Sequence, residues 1–205
     1  MNANLMTKKV ELTKKEAKAA ESFRNARAEI SNAKSTNKNM FSCTVLSEVT
    51  SHITVLKGTL TDNPYEDFIA TPEGKVFAEN KKVRNKWLGY HSYLDQYMNS
   101  SPDLYAVVFY QKTQKTNSYV IMDISMDSAM EMLGQMDFGD GSIKALISGD
   151  GREVISIQGK EDQAVEETYF VGTDFFEKSK EAEGTTTEDV KVKGKSYVYI
   201  ATPVG

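Results

Sequence analysis

Three pairs of short apolar runs, each pair joined by a polar turn, constrain the fold of this chain more than any other feature. The pairs are 103–111 with 118–124, 143–147 with 154–157, and 187–192 with 196–204. The runs are rich in β-branched and aromatic residues, which favour strands. The middle pair flanks Asp150-Gly151, a strong hairpin signal because Gly takes positive φ without strain. Three hairpins predict an antiparallel sheet.

Short helices are predicted between these hairpins. Ser125 is a good helix N-cap, and Met126, Met130 and Leu133 then recur at helical spacing. Residues 161–182 are acidic and aromatic and are expected to form one or two short helices. Strands alternating with segregated helices predict an α+β fold with an antiparallel sheet and flanking helices.

The first hundred residues instead show helical periodicity. A long amphipathic helix is predicted over 5–35, with a thin, Ala-rich apolar stripe. A second helical pattern runs from Phe41 to Leu60, and a third from Val76 to Met98. Because the stripe of the first helix is too narrow for an isolated helix, it needs a partner. That partner is either the third helix or the same helix of a second chain, and we favour a weak homodimer.

Composition excludes several functional classes. The 205 residues carry 25 basic and 29 acidic side chains, a balance that argues against nucleic-acid binding. Cys43 is the single cysteine, so an internal disulfide and a cysteine-based zinc site are excluded. No apolar run approaches the roughly 18 residues of a membrane-spanning helix. The sequence as written therefore predicts a soluble chain.

Nothing in the sequence predicts an enzyme, a cofactor or a metal site. His52 and His91 both fall in segments with helical periodicity and are expected to be hydrogen-bonded helix-face residues. "DFGDGS" (137–142) lacks the alternating acidic ligands and the closing Glu of a calcium loop. Asp150 and Arg152 are expected at a solvated hairpin tip. Asp123, at the end of an apolar strand, either caps nearby backbone amides or faces a pocket.

The order of these elements resembles an extracytoplasmic Cache domain, the PAS-like sensor module of bacterial methyl-accepting chemotaxis proteins. The resemblance rests on "LYAVVFYQKTQKTNSYVIMDIS" (104–125), "SIKALISGDGREVIS" (142–156) and "KVKGKSYVYIATPV" (191–204). The helix at 5–35 resembles the stalk helix that leads out of the membrane in that family. The resemblance implies a helical stalk region over 1–74 and a Cache domain over 75–205, with the helix at 75–99 packed on the sheet.

The resemblance also implies a function. Such a domain would lie outside the cell, in a receptor held in the cell membrane by transmembrane segments absent from this chain. It would bind a small molecule and transmit binding through its helices to a cytoplasmic signalling region. Alternatives are the same module in a histidine kinase or a diguanylate cyclase, and a non-sensing helical interaction protein.

Candidate ligand-binding residues are aromatic and acidic. The family's Arg-x-Trp-Tyr-like signature is replaced here by "EETYFVGTDFF" (166–176), which has no Arg and no Trp. An acidic, aromatic pocket suits a cationic or neutral ligand better than a carboxylate. The candidates that we take from the strands and from this segment are Tyr110, Tyr119, Asp123, Tyr169, Phe170, Asp174 and Tyr197.

Overall fold

A computed structural model describes residues 3–113, 117–159 and 168–204, and within them it has nine strands and six helices. The helices are α1 (Ala3–Thr36), α2 (Pro64–Ala70), α3 (Pro72–Glu79), α4 (Ser92–Tyr97), α5 (Met126–Gln135) and α6 (Asp174–Lys180). The strands are β1 (Met40–Ser47), β2 (Ile53–Thr54), β3 (Asn85–Leu88), β4 (Tyr105–Lys112), β5 (Ser118–Ser125), β6 (Ile143–Ile147), β7 (Glu153–Ile157), β8 (Thr186–Val192) and β9 (Lys195–Ala201).

The main sheet is antiparallel, with five strands in the order β2-β1-β5-β4-β3. Together with its helices it makes an α+β fold, as the sequence predicts, and it is compatible with a PAS-like fold. The chain divides into two compact units between Ala129 and Met130, inside helix α5. The whole five-stranded sheet belongs to the first unit. The 74/75 boundary taken from the resemblance runs through this sheet, because β1 and β2 lie before it.

The segment from Phe41 to Leu60 is not a helix, contrary to the prediction. It contains β1 and β2, and β1 pairs with β5 in a seven-residue register that sets Ser42 opposite Asp123 and Leu46 opposite Tyr119. The spacing of apolar residues misled the helix prediction because both faces of β1 are largely buried. A strand buried on both faces loses the two-residue alternation that would identify it.

The helix predicted from Val76 to Met98 is also wrong, because this segment holds α3, β3 and α4 in turn. Strand β3 pairs with β4, and the Trp87 ring lies 4.7 Å from the Phe109 ring across this pairing. The cross-strand contact outweighs the weak local helical preference of the segment. The helix at 75–99 in the predicted domain is therefore two short helices and an edge strand.

The local hairpin predictions are confirmed, although the hairpins do not share one sheet. β4 and β5 form the centre of the five-stranded sheet, whereas β6–β7 and β8–β9 are separate two-stranded sheets in the second unit. Gly151 adopts a φ of 91° at the predicted Asp-Gly turn. The Ser128 amide donates to the Ser125 hydroxyl at 3.4 Å, as expected for an N-cap. Residues 114–116 of the predicted turn and 161–167 of the predicted helical stretch lie outside the described residues.

The core of the first unit lies between the sheet and the short helices. Phe68 of α2 and Phe77 of α3 pack on Tyr110 and Tyr119, with ring centroids 4.9–6.1 Å apart. All four side chains are fully or almost fully buried. The predicted helix at 5–35 coincides with α1, and its role as a stalk stays a prediction. Among the residues that the structure describes, no helix combines the length and the apolar character needed to cross a membrane.

Candidate functional site

A buried ionic cluster occupies the helix–sheet interface of the first unit. His91 occupies the N-cap position of α4, and Asp95 follows one turn later on the same helix. Asp123 lies near the end of β5, where the strand register sets it opposite Ser42 of β1 and Val108 of β4. Tyr105 begins β4. Three strands and one helix therefore each contribute a polar side chain to one place.

His91 lies between the two carboxylates of the cluster. Its Nδ1 is 3.1 Å from Asp95 Oδ1, and its Nε2 is 3.0 Å from Asp123 Oδ1. Both are ion-pair contacts, and neither ring N–H is aligned well enough for a hydrogen bond. His91 is 1% exposed and Asp123 is 0% exposed. The ring of Tyr105 packs on the imidazole, with centroids 4.3 Å apart.

Two hydroxyl groups donate hydrogen bonds to the two carboxylates. Ser42 Oγ donates a short hydrogen bond to Asp123 Oδ2. Tyr105 Oη donates to Asp95 Oδ2 at 2.7 Å. The result is a linear order of Ser42, Asp123, His91, Asp95 and Tyr105. Buried charges persist when they are paired in this way, because an isolated charge would be strongly penalised by the loss of water.

The electrostatics favour a charged imidazole. Burial alone lowers the pKa of His91, but its interactions with Asp123 and Asp95 outweigh burial and raise the pKa to about 9. Burial alone raises the pKa of Asp95, but its interactions with His91 and Tyr105 lower it overall. At neutral pH the cluster therefore holds an imidazolium between carboxylates.

A third acidic side chain holds the start of α4. Glu73 of α3 is buried, and its carboxylate accepts hydrogen bonds from the Ser92 amide and, at 3.1 Å, from Ser92 Oγ. A carboxylate at a helix N-terminus satisfies amides that have no partner within the helix. Glu73 thus connects the start of the first turn of α4 to α3, and Asp95 connects the end of that turn to the ionic cluster.

The cluster lacks the arrangement of a nucleophilic enzyme. Ser42 donates to Asp123, whereas an activated serine would donate to the histidine. The neighbouring Cys43 is buried, and burial together with Asp123 raises the pKa of its thiol to about 11, which disfavours a reactive thiolate. Within the described residues, no three His, Cys, Asp or Glu side chains are placed to hold a metal ion. The cluster can hold a proton and tie elements together.

The second unit has its own polar anchor. The carboxylate of Glu153, at the start of β7, accepts from the consecutive amides of Tyr169, Phe170 and Val171 at 2.9, 3.0 and 2.5 Å. Consecutive amides of this kind form a concave anion site. The ammonium of Lys193 also lies 4.0 Å from the centroid of the Tyr169 ring. The loop that contains the predicted aromatic residues is therefore held in place by the chain's own charges.

We expect Glu153→Gln to loosen this loop, because a carboxamide loses both the charge and one acceptor oxygen. Hydrogen bonds to a charged group each contribute about 1.5–3 kcal/mol, and three are affected. Hydrogen exchange of the 169–171 amides should therefore speed up at least about tenfold, equivalent to 1.4 kcal/mol. Glu188→Gln is the matched control, since Glu188 only faces Lys178 at 3.9 Å on the surface. Equal exchange in both variants would contradict the anchoring role.

The structure places the predicted ligand-binding residues in both units. In the first unit, Tyr110 and Tyr119 belong to the aromatic core, and the Tyr110 hydroxyl donates to the Tyr90 carbonyl at 3.0 Å. Asp123 is in the ionic cluster. The remaining candidates lie in the second unit. The side chains of Tyr169, Phe170 and Tyr197 are half-buried, and that of Asp174 is exposed.

The second-unit candidates are only partly brought together. Phe170 packs on Phe175 and on Tyr199, with centroids 6.5 and 6.1 Å apart. Tyr197 lines a shallow, open depression on the β8–β9 hairpin. Asp174 starts α6, after the Thr173 N-cap. Ligand contact by any of the predicted residues stays a prediction.

Sequence reasoning missed most of the ionic cluster. It expected Asp123 to cap amides or face a pocket, and His91 to be a helix-face residue. The sequence does not single out Asp95 or Ser42, and it marks Tyr105 only as one of the strand aromatics that either enter the core or line a pocket. One signal was present: a carboxylate inside an apolar strand needs a charged or donating partner, and the chain has only two histidines.

Comparison with known proteins gives no relative. No family model, curated protein or solved structure matches this chain.

Proposed function

We propose that this chain is an extracytoplasmic sensor module of a membrane-bound bacterial receptor, of the chemotaxis-receptor type. The observation that carries the proposal is the five-stranded antiparallel sheet in the order β2-β1-β5-β4-β3. Along the chain, helices α2, α3 and α4 come after β2 and before β4. This architecture is compatible with a PAS-like fold. The resemblance of 104–125, 142–156 and 191–204 to Cache domains supports the finer assignment.

The connection between α1 and the sheet supports signal transmission. Helix α1 ends at Thr36 and β1 starts at Met40, and the Met40 amide donates to the Asn37 carbonyl at 3.1 Å. A displacement of β1 would therefore pass directly into a 34-residue helix. Ligand binding can drive such a displacement only when the ligand binds two arrangements with different affinity.

The surface of α1 supports a weak homodimer. Between Ala17 and Thr36, only Phe23, Ala26 and Ile30 are half-buried, and the other side chains are exposed. A long helix with this little packing gains stability from a partner helix. Pairing of α1 with a second copy would provide this partner and a two-fold receptor assembly.

The ligand would be a cationic or neutral small molecule that binds in the second unit. The half-buried aromatic side chains of Phe170 and Tyr197 and the exposed carboxylate of Asp174 supply apolar surface and negative charge. Tyr169 already carries the Lys193 ammonium over its ring and would contribute at the edge of the site. Aromatic faces and carboxylates attract ammonium groups. The chemistry of the output region, whether chemotaxis, kinase or cyclase signalling, lies outside this chain.

A thermal-shift screen of the purified chain tests the proposal. The probes are amino acids, amines, organic acids, sugars, purines and divalent cations. We expect a saturable rise in the unfolding midpoint with one chemical class, because a ligand at a hundred times its Kd stabilises the folded state by about 2.7 kcal/mol. The shift should shrink in Asp174→Asn and Tyr197→Phe.

Asp103→Asn is the matched control, since Asp103 is an exposed acid in the first unit. A shift that is equal in all variants would place the ligand elsewhere and contradict the assigned site. The absence of any saturable shift across the screen would contradict the sensor proposal.

A further inference from the structure

His91 joins two structural elements through two ion-pair contacts, which exist only when the imidazole carries both protons. Nδ1 faces Asp95 of α4, and Nε2 faces Asp123 of β5, each at 3.0–3.1 Å from a carboxylate oxygen. A neutral imidazole carries one N–H and one lone pair. Loss of either proton would therefore leave a neutral ring between two carboxylates, and the attraction in both ion pairs would be lost. Both contacts are attractive ion pairs only with the imidazolium.

We infer that His91 is a proton-operated latch that fastens α4 to the sheet of the first unit and releases it when the imidazole loses a proton. The released element is short. Helix α4 has six residues, too few to be stable alone, so its order depends on its anchors. The latch lies within the first unit, and the proposed ligand takes no part in it.

The groups around the latch leave His91 as the single cation. Among the described residues, the ionisable groups that contact His91 or interact with its carboxylate partners come from α4, β1, β4 and β5. They are Asp95, Cys43, Tyr105, Tyr110 and Asp123. Glu73 of α3 contacts Ser92, the residue after His91. All of these groups are acids, phenols or a thiol, and none of them is a cation. Neutralising His91 therefore leaves carboxylates that repel each other across a water-poor interface.

The release is expected to be local. The strand pairing of β4 with β5 does not involve the imidazole. Loosening should therefore be confined to the segment from His91 to Met98, while β4 and β5 stay protected.

Two measurements on the intact chain test the latch. The first is an NMR titration of the imidazole protons from neutral to alkaline pH. His52→Gln identifies which signal belongs to His91, because the chain has only two histidines. We expect the His91 signal to titrate at alkaline pH, and Asp95→Asn to move its midpoint towards lower pH.

The second measurement is hydrogen exchange by mass spectrometry, corrected for the intrinsic effect of pH on exchange. We expect exchange of the 91–98 peptide to rise at least about tenfold over the pH range in which His91 titrates, the change that one pKa unit of coupling produces. Peptides from β4 and β5 serve as the internal control for global unfolding. His52→Gln should show the same step, and His91→Gln should remove it.

Three results would overturn the latch. The first is His91 titrating at or below the range of an ordinary histidine. The second is constant protection of 91–98 while His91 titrates, and the third is equal loss of protection in 91–98 and in β4–β5. The exchange measurement on the wild-type chain needs no substitution, and the assignment uses only His52→Gln, outside the cluster, so a His91 or Asp95 variant that fails to fold leaves the test intact. Because no ligand takes part, failure of the latch and failure of the sensor proposal are separate results.

Discussion

Asp123→Ala is expected to destabilise the first unit by about 3–5 kcal/mol, the cost of leaving one member of a buried ion pair without its partner. The substitution removes the carboxylate that faces His91 Nε2 and accepts from Ser42 Oγ. Since Asp123 is fully buried, water does not replace these interactions. The imidazolium would remain buried with only Asp95 to balance its charge.

The single tryptophan allows the effect to be measured in the correct unit. Trp87 lies on β3 of the first unit, so its fluorescence during urea unfolding reports on that unit. Asp103→Asn is the control, and a change at this exposed site should stay within about 0.5 kcal/mol. If Asp123→Ala lowers the free energy of unfolding by less than about 1 kcal/mol, the ion pair does not hold α4 to the sheet. Asp123→Asn provides a milder version if the alanine variant does not fold.

The pH dependence of stability follows from the same cluster. The pKa of His91 is raised from 6.5 to about 9 in the folded chain, so the folded state binds the proton more tightly than the unfolded state. Its contribution is fully present below about pH 6.5 and is lost as the pH rises through about 9. In Asp123→Ala, the pKa of His91 should be lower, so the alkaline loss of stability should be smaller and should be complete at lower pH. Trp87 fluorescence also reports this difference.

The hairpins could be predicted from sequence because their signals are local. β4 and β5, β6 and β7, and β8 and β9 each pair with a neighbour in the chain, and their turns carry Gly or polar residues. Local turn chemistry and β-branched runs are enough to identify such pairs. The sequence gives no comparable signal for whether hairpins share a sheet.

The strands β1, β2 and β3 could not be predicted because their pairing is distant or depends on packing. β1 pairs with β5, about 80 residues away in the chain, as the Ser42–Asp123 separation shows. β3 is a four-residue edge strand stabilised by the contact between Trp87 and Phe109. In both cases tertiary contacts override a weak helical pattern.

The candidate site was predictable only in part for the same reason. A lone acid in an apolar strand identifies Asp123 as a residue that needs a partner. Which side chain serves as that partner depends on where α4 packs. The sequence predicts a single helix from Val76 to Met98, so it does not separate α4 from the residues before it. His91 therefore became visible as the partner only once the helix boundaries were known. Errors in the boundaries of secondary structure elements carry directly into errors in the site.

The corner between α2 and α3 has no room for a side chain at Gly74. Thr71 caps α3: its hydroxyl accepts from the Gly74 amide at 3.1 Å and donates to the Phe68 carbonyl at 2.7 Å. A Cβ on Gly74 would lie 2.6 Å from Ile69 Cα and closer still to the Phe68 carbonyl oxygen. Both obstructing atoms are backbone, so relief requires the two helices to move apart. That movement would shift Phe68 and Phe77, which pack on the sheet.

Gly74→Ala is therefore expected to destabilise the first unit by about 2–3 kcal/mol, the upper part of the range for overpacking. Alanine normally stabilises a helix by up to about 1 kcal/mol relative to glycine, so the expected sign is opposite to the intrinsic preference. Gly134→Ala on α5 is the matched control, because its added Cβ meets no atom within 4 Å and should raise stability by about 0.5–1 kcal/mol. Denaturation followed by circular dichroism measures both variants. A gain in stability for Gly74→Ala would show that α2 and α3 separate easily, and the aromatic core would then not fix how the helices sit on the sheet.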